Sequence, residues 1–269
     1  MPEDLFAKAK LKLVRAKKNR DDFEAERGRF IGAYPWSQTT ETSADGLSKL
    51  FKVRLTRPFP DTFSALVSYA TQNLRACLDV AACATARCGG KSGKNAPFPF
   101  GESPEGLENC IKGRCKQIHP DILTLMRGFK PYKTGNPLLW AINHVANLDK
   151  HADIVIPMAA GTSSMVFIGT LPRGGTAAVT FPKASPLLML STPVWRPEDN
   201  EIIYGVSVTG PEACPDYDVR IMLDIAFGEI DIVGRQPAIG VLYHMIREVE
   251  SILLAIEAET QGLFPDAFV

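Results

Sequence analysis

One stretch near the middle of the chain concentrates groups that donate, accept and shuttle protons: Asn143-His144-Val145-Ala146-Asn147-Leu148-Asp149-Lys150-His151. Read as a helix over Pro137–His151, it places Asn143, Asn147 and His151 four residues apart on one face. His144 and His151, seven apart, lie close to that stripe. Asp149 and Lys150 can hydrogen-bond and charge-pair around the helix end. A proton-transfer site is one reading of these residue types. A charged helix C-terminus, with Lys150 and His151 complementing the helix dipole, is the other. Residue types alone leave the two level.

Other candidate chemistries fail on spacing. Gly90-Lys91-Ser92 resembles the end of a phosphate loop, but Thr85 stands where the first glycine belongs. The segment also follows a helix, whereas a phosphate loop follows a strand and opens a helix. Five cysteines run as Cys77-x5-Cys83-x4-Cys88 and Cys110-x4-Cys115, with no Cys-x2-Cys knuckle for zinc. No metal and no cofactor is expected, and the cysteines read as packed thiols. Gly161-Thr162-Ser163-Ser164 lacks the second glycine of a nucleophile elbow and reads as a turn between strands.

The elements that must position the polar cluster follow from periodicity. Leu5, Ala9, Leu13, Ala16, Phe23 and Phe30 mark a long helix over residues 3–30. Seven basic residues and no acidic one lie between Lys8 and Arg20, and Asp21, Asp22, Glu24 and Glu26 follow. That juxtaposition favours a solvated helix face over a nucleic-acid or membrane-surface grip. Gly32 and Pro35 stop the helix. Trp36–Thr42 and Leu50–Arg57 read as strands, joined into a hairpin by the turn residues Ser43, Asp45 and Gly46.

Pro58 and Pro60 end that strand, and Asp61 or Thr62 can cap a second helix running to about Arg87. Its wide stripe of Ala, Leu and Cys predicts a central buried helix, ended by Gly89-Gly90. Shorter helices are expected near Ser103–Lys116 and Pro120–Gly128, then an extended Phe129-Lys130-Pro131-Tyr132. From Ala152 onward six strand-like runs punctuated by Gly and Pro predict a meander of antiparallel strands. A helix from about Pro237 to Gly262 closes the chain, with Ile239, Leu242, Ile246, Val249, Leu253 and Ile256 at helical spacing.

Composition bounds the whole. The chain has 269 residues, 30 basic and 30 acidic, so its formal charge is zero. Hydrophobic residues make up 45 % and charged residues 22 %, which excludes a disordered or disulfide-scaffold chain. Zero net charge removes any global attraction to phosphate. No run reaches the roughly 18 apolar residues of a membrane span. Met1–Arg20 lacks the apolar core of a secretory signal. A cytoplasmic location without a membrane partner is the expectation.

Asn73-Leu74-Arg75-Ala76-Cys77-Leu78-Asp79, Pro131-Tyr132 and Leu148-Asp149-Lys150-His151 together resemble a family of uncharacterised bacterial proteins. Its members share an Asn-Leu-Arg-Ser-Ala-Leu-Asp-His helix, a Gln-Pro-Tyr segment and an Asp-Lys-His-Arg helix end. The likeness covers roughly residues 1–155. That family's Arg-x4-His helix is in turn similar to HEPN ribonucleases, all-helical domains that cleave RNA without metal. The resemblance implies Arg75 stabilising phosphorane charge and a histidine transferring protons. Here Val80 occupies the histidine position and Ala152 replaces the arginine after Asp-Lys-His. Packing of the two helices would bring Arg75, Asp79, Asp149 and His151 together as the catalytic candidates. Arg75 and Asp79, four apart, pair equally well as an internal brace.

The expectation is an α+β protein, a helical layer packed on a mainly antiparallel β-sheet. It divides as a helical half over 1–151 and a strand-rich half over 152–269, or forms one compact domain. A binding or scaffolding role comes first, with Asn73, Tyr132, Asn143, His144, Asn147 and Lys150 as binding candidates. A metal-independent nuclease using Arg75 and His151 is the alternative, and a hydrolase with a histidine base the third. RNA or a small molecule is the candidate ligand, and the terminal helices are candidate homodimer surfaces.

Overall fold

A computed structural model describes residues 4–42, 48–148, 155–159, 166–170, 176–180, 188–190, 194–196, 201–208, 217–219, 223–228, 230–234 and 236–268. The chain is α+β and dominated by helix. It separates into two units that each gather distant parts of the sequence. One takes Met1–Glu26, Asp61–Val155 and Phe227–Val269, and the other Arg27–Pro60 and Ile156–Ala226. The expected division at residue 151 differs from this: the hairpin groups with the later strands, and the last helix with the earlier helices. Edge hydrogen bonds drive the first regrouping and a shared apolar face the second.

The helical unit holds α1 (Ala7–Gly32) up to Glu26, with α2 (Thr62–Cys88), α3 (Pro104–Arg114), α4 (Pro120–Gly128), α5 (Pro137–Asn147) and α6 (Ala238–Leu263). α2 packs against both α5 and α6. Its buried Ala70, Ala81, Ala82, Ala84 and Ala86 carry little bulk, so the neighbouring helices approach closely. Phe63, Leu74 and Leu78 fill the larger gaps, and Phe23 of α1 meets Phe63 edge-on at 5.4 Å. α6 contributes Leu242, Met245, Val249, Leu253 and Ile256 to the same core. The hydroxyls of Thr71, Thr85 and Thr260 are buried, and each donates to a carbonyl one turn back in its own helix.

Helix ends follow local chemistry. Gly90 takes φ +73°, and Lys91 N–H and Gly90 N–H donate to the Ala86 and Arg87 carbonyls, closing α2 as a Schellman turn. Ser103 caps α3 by accepting from Gly106 N–H at 3.2 Å. Asn136 caps α5 by accepting from Leu139 N–H at 3.0 Å. Asp61 departs from expectation: its backbone is already helical, and its side chain makes no capping bond. The segment Phe129–Tyr132 is not extended. Lys130 takes φ +52°, and its carbonyl accepts from both Tyr132 and Asn136 N–H, folding it into a turn.

The second unit contains β1 (Trp36–Thr42), β2 (Ser48–Leu55), β3 (Val155–Ala159), β4 (Val166–Thr170), β5 (Thr176–Thr180), β6 (Leu188–Leu190), β7 (Val194–Arg196), β8 (Glu201–Val208), β9 (Tyr217–Val219) and β10 (Leu223–Phe227). β1 and β2 form the expected antiparallel pair, Trp36 opposite Leu55 and Thr42 opposite Lys49. The expected meander does not follow. The largest sheet runs β1-β2-β8-β6, with β7 sharing the β8 edge used by β6. β4 pairs β5 and β9, and β3 pairs β10. The eight-residue β8 matches β2 in length, so it satisfies the free edge of the hairpin better than a short sequential neighbour would. Arg27 joins the end of α1 to β10 through Asp224 at 2.5 Å. The Phe30 and Phe59 rings meet edge-on at 5.7 Å.

Candidate functional site

Helical periodicity on α2 puts Arg75 and Asp79 one turn apart, and they form the expected pair, Nη1 to Oδ2 at 3.2 Å. Both side chains keep limited access to solvent, 30 % and 26 % exposed. Arg75 also donates from Nε to Asn143 Oδ1 on α5 at 2.8 Å. Its guanidinium lies over the Phe100 ring, 5.9 Å from the centroid. Asp79 Oδ1 accepts from Phe98 N–H at 3.1 Å. Burial raises the Asp79 pKa above the ordinary carboxylate value. Arg75, the Phe98 N–H and Arg114 oppose that rise without cancelling it.

Asn147 extends the cluster, donating from Nδ2 to the Asn143 carbonyl at 2.7 Å and to its Oδ1 at 3.2 Å. Asn143 Oδ1 therefore receives both Arg75 and Asn147. α5 ends at Asn147, and Leu148 is extended, with φ −63° and ψ 145°. Of the expected Asn143–Asn147–His151 face, the described helix carries Asn143 and Asn147. Asp149, Lys150 and His151 lie outside the described residues.

The remaining candidates go elsewhere. His144 stacks on Trp140, with centroids 4.6 Å apart. Trp140 donates from Nε1 to Glu102 at 2.9 Å and carries Lys133 over its ring. Tyr132 sits in the turn before α5, where its ring lies so close to Gly135 that a Cβ there would come within 2.6 Å of Cε2. Asn73 belongs to the opposite side of α2. It donates to the Tyr69 carbonyl at 2.9 Å and to Asn19 Oδ1 of α1 at 3.3 Å.

That opposite side holds a feature the residue pattern alone does not expose. A cavity of about 410 Å³ lies between α1 and α2, lined by Lys12, Arg15, Lys18, Asn19, Tyr69, Gln72, Asn73 and Ala76. The basic stretch of α1 is divided by its neighbours. Lys10 pairs with Glu257 and Lys17 with Glu250 of α6, each at 2.6 Å. Lys18 pairs with Asp22 and Arg20 with Asp21 on α1 itself. Lys12 and Arg15 have no carboxylate partner among the described residues, and both line the cavity. Tyr69 stands 55 % exposed beside them. The Lys8–Arg20 charge run was the available signal. The α6 carboxylates that consume part of it lie more than 200 residues away in sequence.

Among the described residues, no group of three or more His, Cys, Asp or Glu side chains is placed to hold a metal ion. None of their helices is long and apolar enough to cross a membrane. No family model, no curated protein and no solved structure matches this chain.

Proposed function

We infer that this chain is a binding protein that takes a phosphate-bearing ligand in the groove between α1 and α2. In this reading the Arg75 cluster is a brace between helices. The observation that carries it is the pair Lys12 and Arg15, cations without carboxylate partners among the described residues, lining a cavity of about 410 Å³. Lys18 adds a third cation, already shared with Asp22. Residues 12, 15 and 18 lie three apart, so the cations step about 4.5 Å along α1. Tyr69 offers a ring for stacking, and Gln72 and Asn73 bring amides that can donate and accept.

The brace reading draws on saturation. Arg75 spends Nε on Asn143 and Nη1 on Asp79. An arginine held this way costs those bonds when it turns to a phosphate, whereas Lys12 and Arg15 break no described ion pair to do so. This favours binding over the nuclease alternative that the sequence resemblance implies.

Anisotropy titration of the full chain with labelled single-stranded RNA and with inorganic tripolyphosphate tests the reading. The expected result is binding that weakens with salt. Each strand phosphate neutralised by a cation adds about 0.7 to the steepness of the log–log salt dependence. Lys12→Glu with Arg15→Glu abolishes binding while the far-ultraviolet spectrum is kept, and the RNA remains uncut. Affinity for both ligands that survives this double reversal would overturn the groove assignment.

A further inference from the structure

The face of α2 that lines the groove leads to a second cationic cavity. Cys83 and Arg87 follow Ala76 by two and three helical turns, so all three share that face. The segment Gly93–Ala96 crosses it. Cys83 donates from Sγ to the Ala96 carbonyl at 3.4 Å. A Cβ on Gly93 would stand 2.8 Å from the Cys83 carbonyl oxygen and 3.0 Å from Arg87 Cγ, and Gly93 takes φ +68°. Glycine is therefore required for the segment to lie so close to the helix. Within that segment Asn95 joins Gly113, Arg114, Lys116 and Gln117 in lining a cavity of about 410 Å³. Gln117 fixes the loop, accepting from Ser92 Oγ at 3.1 Å and Gly93 N–H at 3.0 Å and donating to the Lys94 carbonyl at 2.8 Å.

Cations mark the interval as well as the two ends. Arg87, Arg114 and Lys116 are exposed and have no carboxylate partner among the described residues. α1 runs antiparallel to α2, since Phe23 meets Phe63 while Asn19 meets Asn73. Lys8, one turn before Lys12 on the same face, therefore lies toward the Arg87 end. It too is exposed and has no described carboxylate partner. The acidic Asp21 and Asp22 lie at the other end of α1, beyond Lys18. From Ala76 to Arg87 the helix rises about 16.5 Å.

We propose that the two cavities are the ends of one track for single-stranded nucleic acid. Its backbone phosphates lie on Lys12 and Arg15, then on Lys8, then on Arg87, Arg114 and Lys116. The proposal rests on the groove reading above and extends it to a ligand class. A lone phosphate occupies one cavity, whereas a row of unpaired cations matches an anion that repeats. The row is narrow and its two ends are concave, which suits a flexible single strand better than the stiff, wide duplex. Tyr69, 55 % exposed at the groove end, supplies a ring on which a base can stack. Gln72 and Asn73 beside it bring amides to the base edges.

The test is anisotropy titration of the full chain with a labelled RNA strand of about 12 nucleotides, with a labelled dinucleotide, and with the longer strand annealed to its complement. The longer single strand is expected to bind at least roughly tenfold tighter than the other two. Arg114→Glu with Lys116→Glu weakens it roughly tenfold, lowers its log–log salt slope by about 1.4 and leaves the dinucleotide unchanged. The milder Arg114→Gln with Lys116→Gln acts in the same direction should the reversed pair fold poorly, and Lys8→Glu weakens the longer strand alone. Strand affinity equal to that of the dinucleotide or the duplex, or untouched by the Arg114 and Lys116 variants, would overturn the track. Tripolyphosphate is too short to reach both cavities and reads the groove separately. Its loss in Lys12→Glu with Arg15→Glu upholds the groove even where the track fails.

Discussion

Arg75 and Asn143 tie the central helix α2 to α5 through one bond, Nε to Oδ1 at 2.8 Å. The same guanidinium holds Asp79 one turn along α2, and the same amide oxygen receives Asn147. Four polar side chains on two helices are thereby satisfied by one another.

Removing the guanidinium leaves Asp79 in a mostly buried site with the Phe98 N–H as its hydrogen-bond donor and the weaker attraction of Arg114. Arg75→Ala is expected to destabilise the protein by about 1–3 kcal/mol, in the range for a hydrogen bond to a charged group left half-made. Asn143→Ala costs less, because Arg75 keeps Asp79. Urea melts of both single variants and the double variant measure the coupling, and additive effects would refute a shared network.

The raised Asp79 pKa has a sign in stability. Folding strengthens proton binding at this carboxyl, so its contribution is greatest at low pH. It declines as pH rises from the ordinary carboxylate value of 3.8 through the raised folded value. Asp79→Asn is expected to remove that decline. The stability difference between wild type and Asp79→Asn, followed by denaturation across acidic pH, should narrow or invert as pH rises. A difference independent of pH would contradict it.

The α1 cations divide by partner, and so should their variants. Lys17→Glu places like charge against Glu250 and is expected to cost up to about 1 kcal/mol at low salt, less at high salt. Lys12→Glu and Arg15→Glu break no described ion pair and should leave the thermal midpoint nearly unchanged while removing ligand binding. Melting curves at two salt concentrations separate the classes.

Core and cap variants test the helical unit directly. Leu74→Ala, at a fully buried position on α2, is expected to cost about 2–5 kcal/mol. Ser103→Ala removes the α3 cap and is expected to cost about 1 kcal/mol. Urea melts of each variant against the wild type read these costs.

Much of the local structure was legible in the residues. The stripe of Phe63, Val67, Ala70 and Leu74 identifies α2 as a central helix, and Trp36–Thr42 is found as the strand its residues predict. Arg75 and Asp79 pair as their four-residue spacing requires. These features depend on neighbours within a turn or a pleat, which the order of residues specifies. The partners of β2 were not legible, because any strand of suitable length can satisfy a free edge and only the folded chain brings β8 to it. The cysteine spacing excluded a zinc knuckle but did not reveal that Cys83 and Cys115 donate to the neighbouring carbonyls of Ala96 and Pro97.

The sequence by itself identified the six described α-helices and the β1–β2 pair, their apolar faces, and a basic stretch on α1 beside an acidic one. Tertiary structure decided which charges remain available. Glu250 and Glu257 arrive from the far end of the chain to take Lys17 and Lys10, and leave Lys12 and Arg15 facing α2. A charge has no function until its neighbours are known, because a close carboxylate offsets it and an open groove does not.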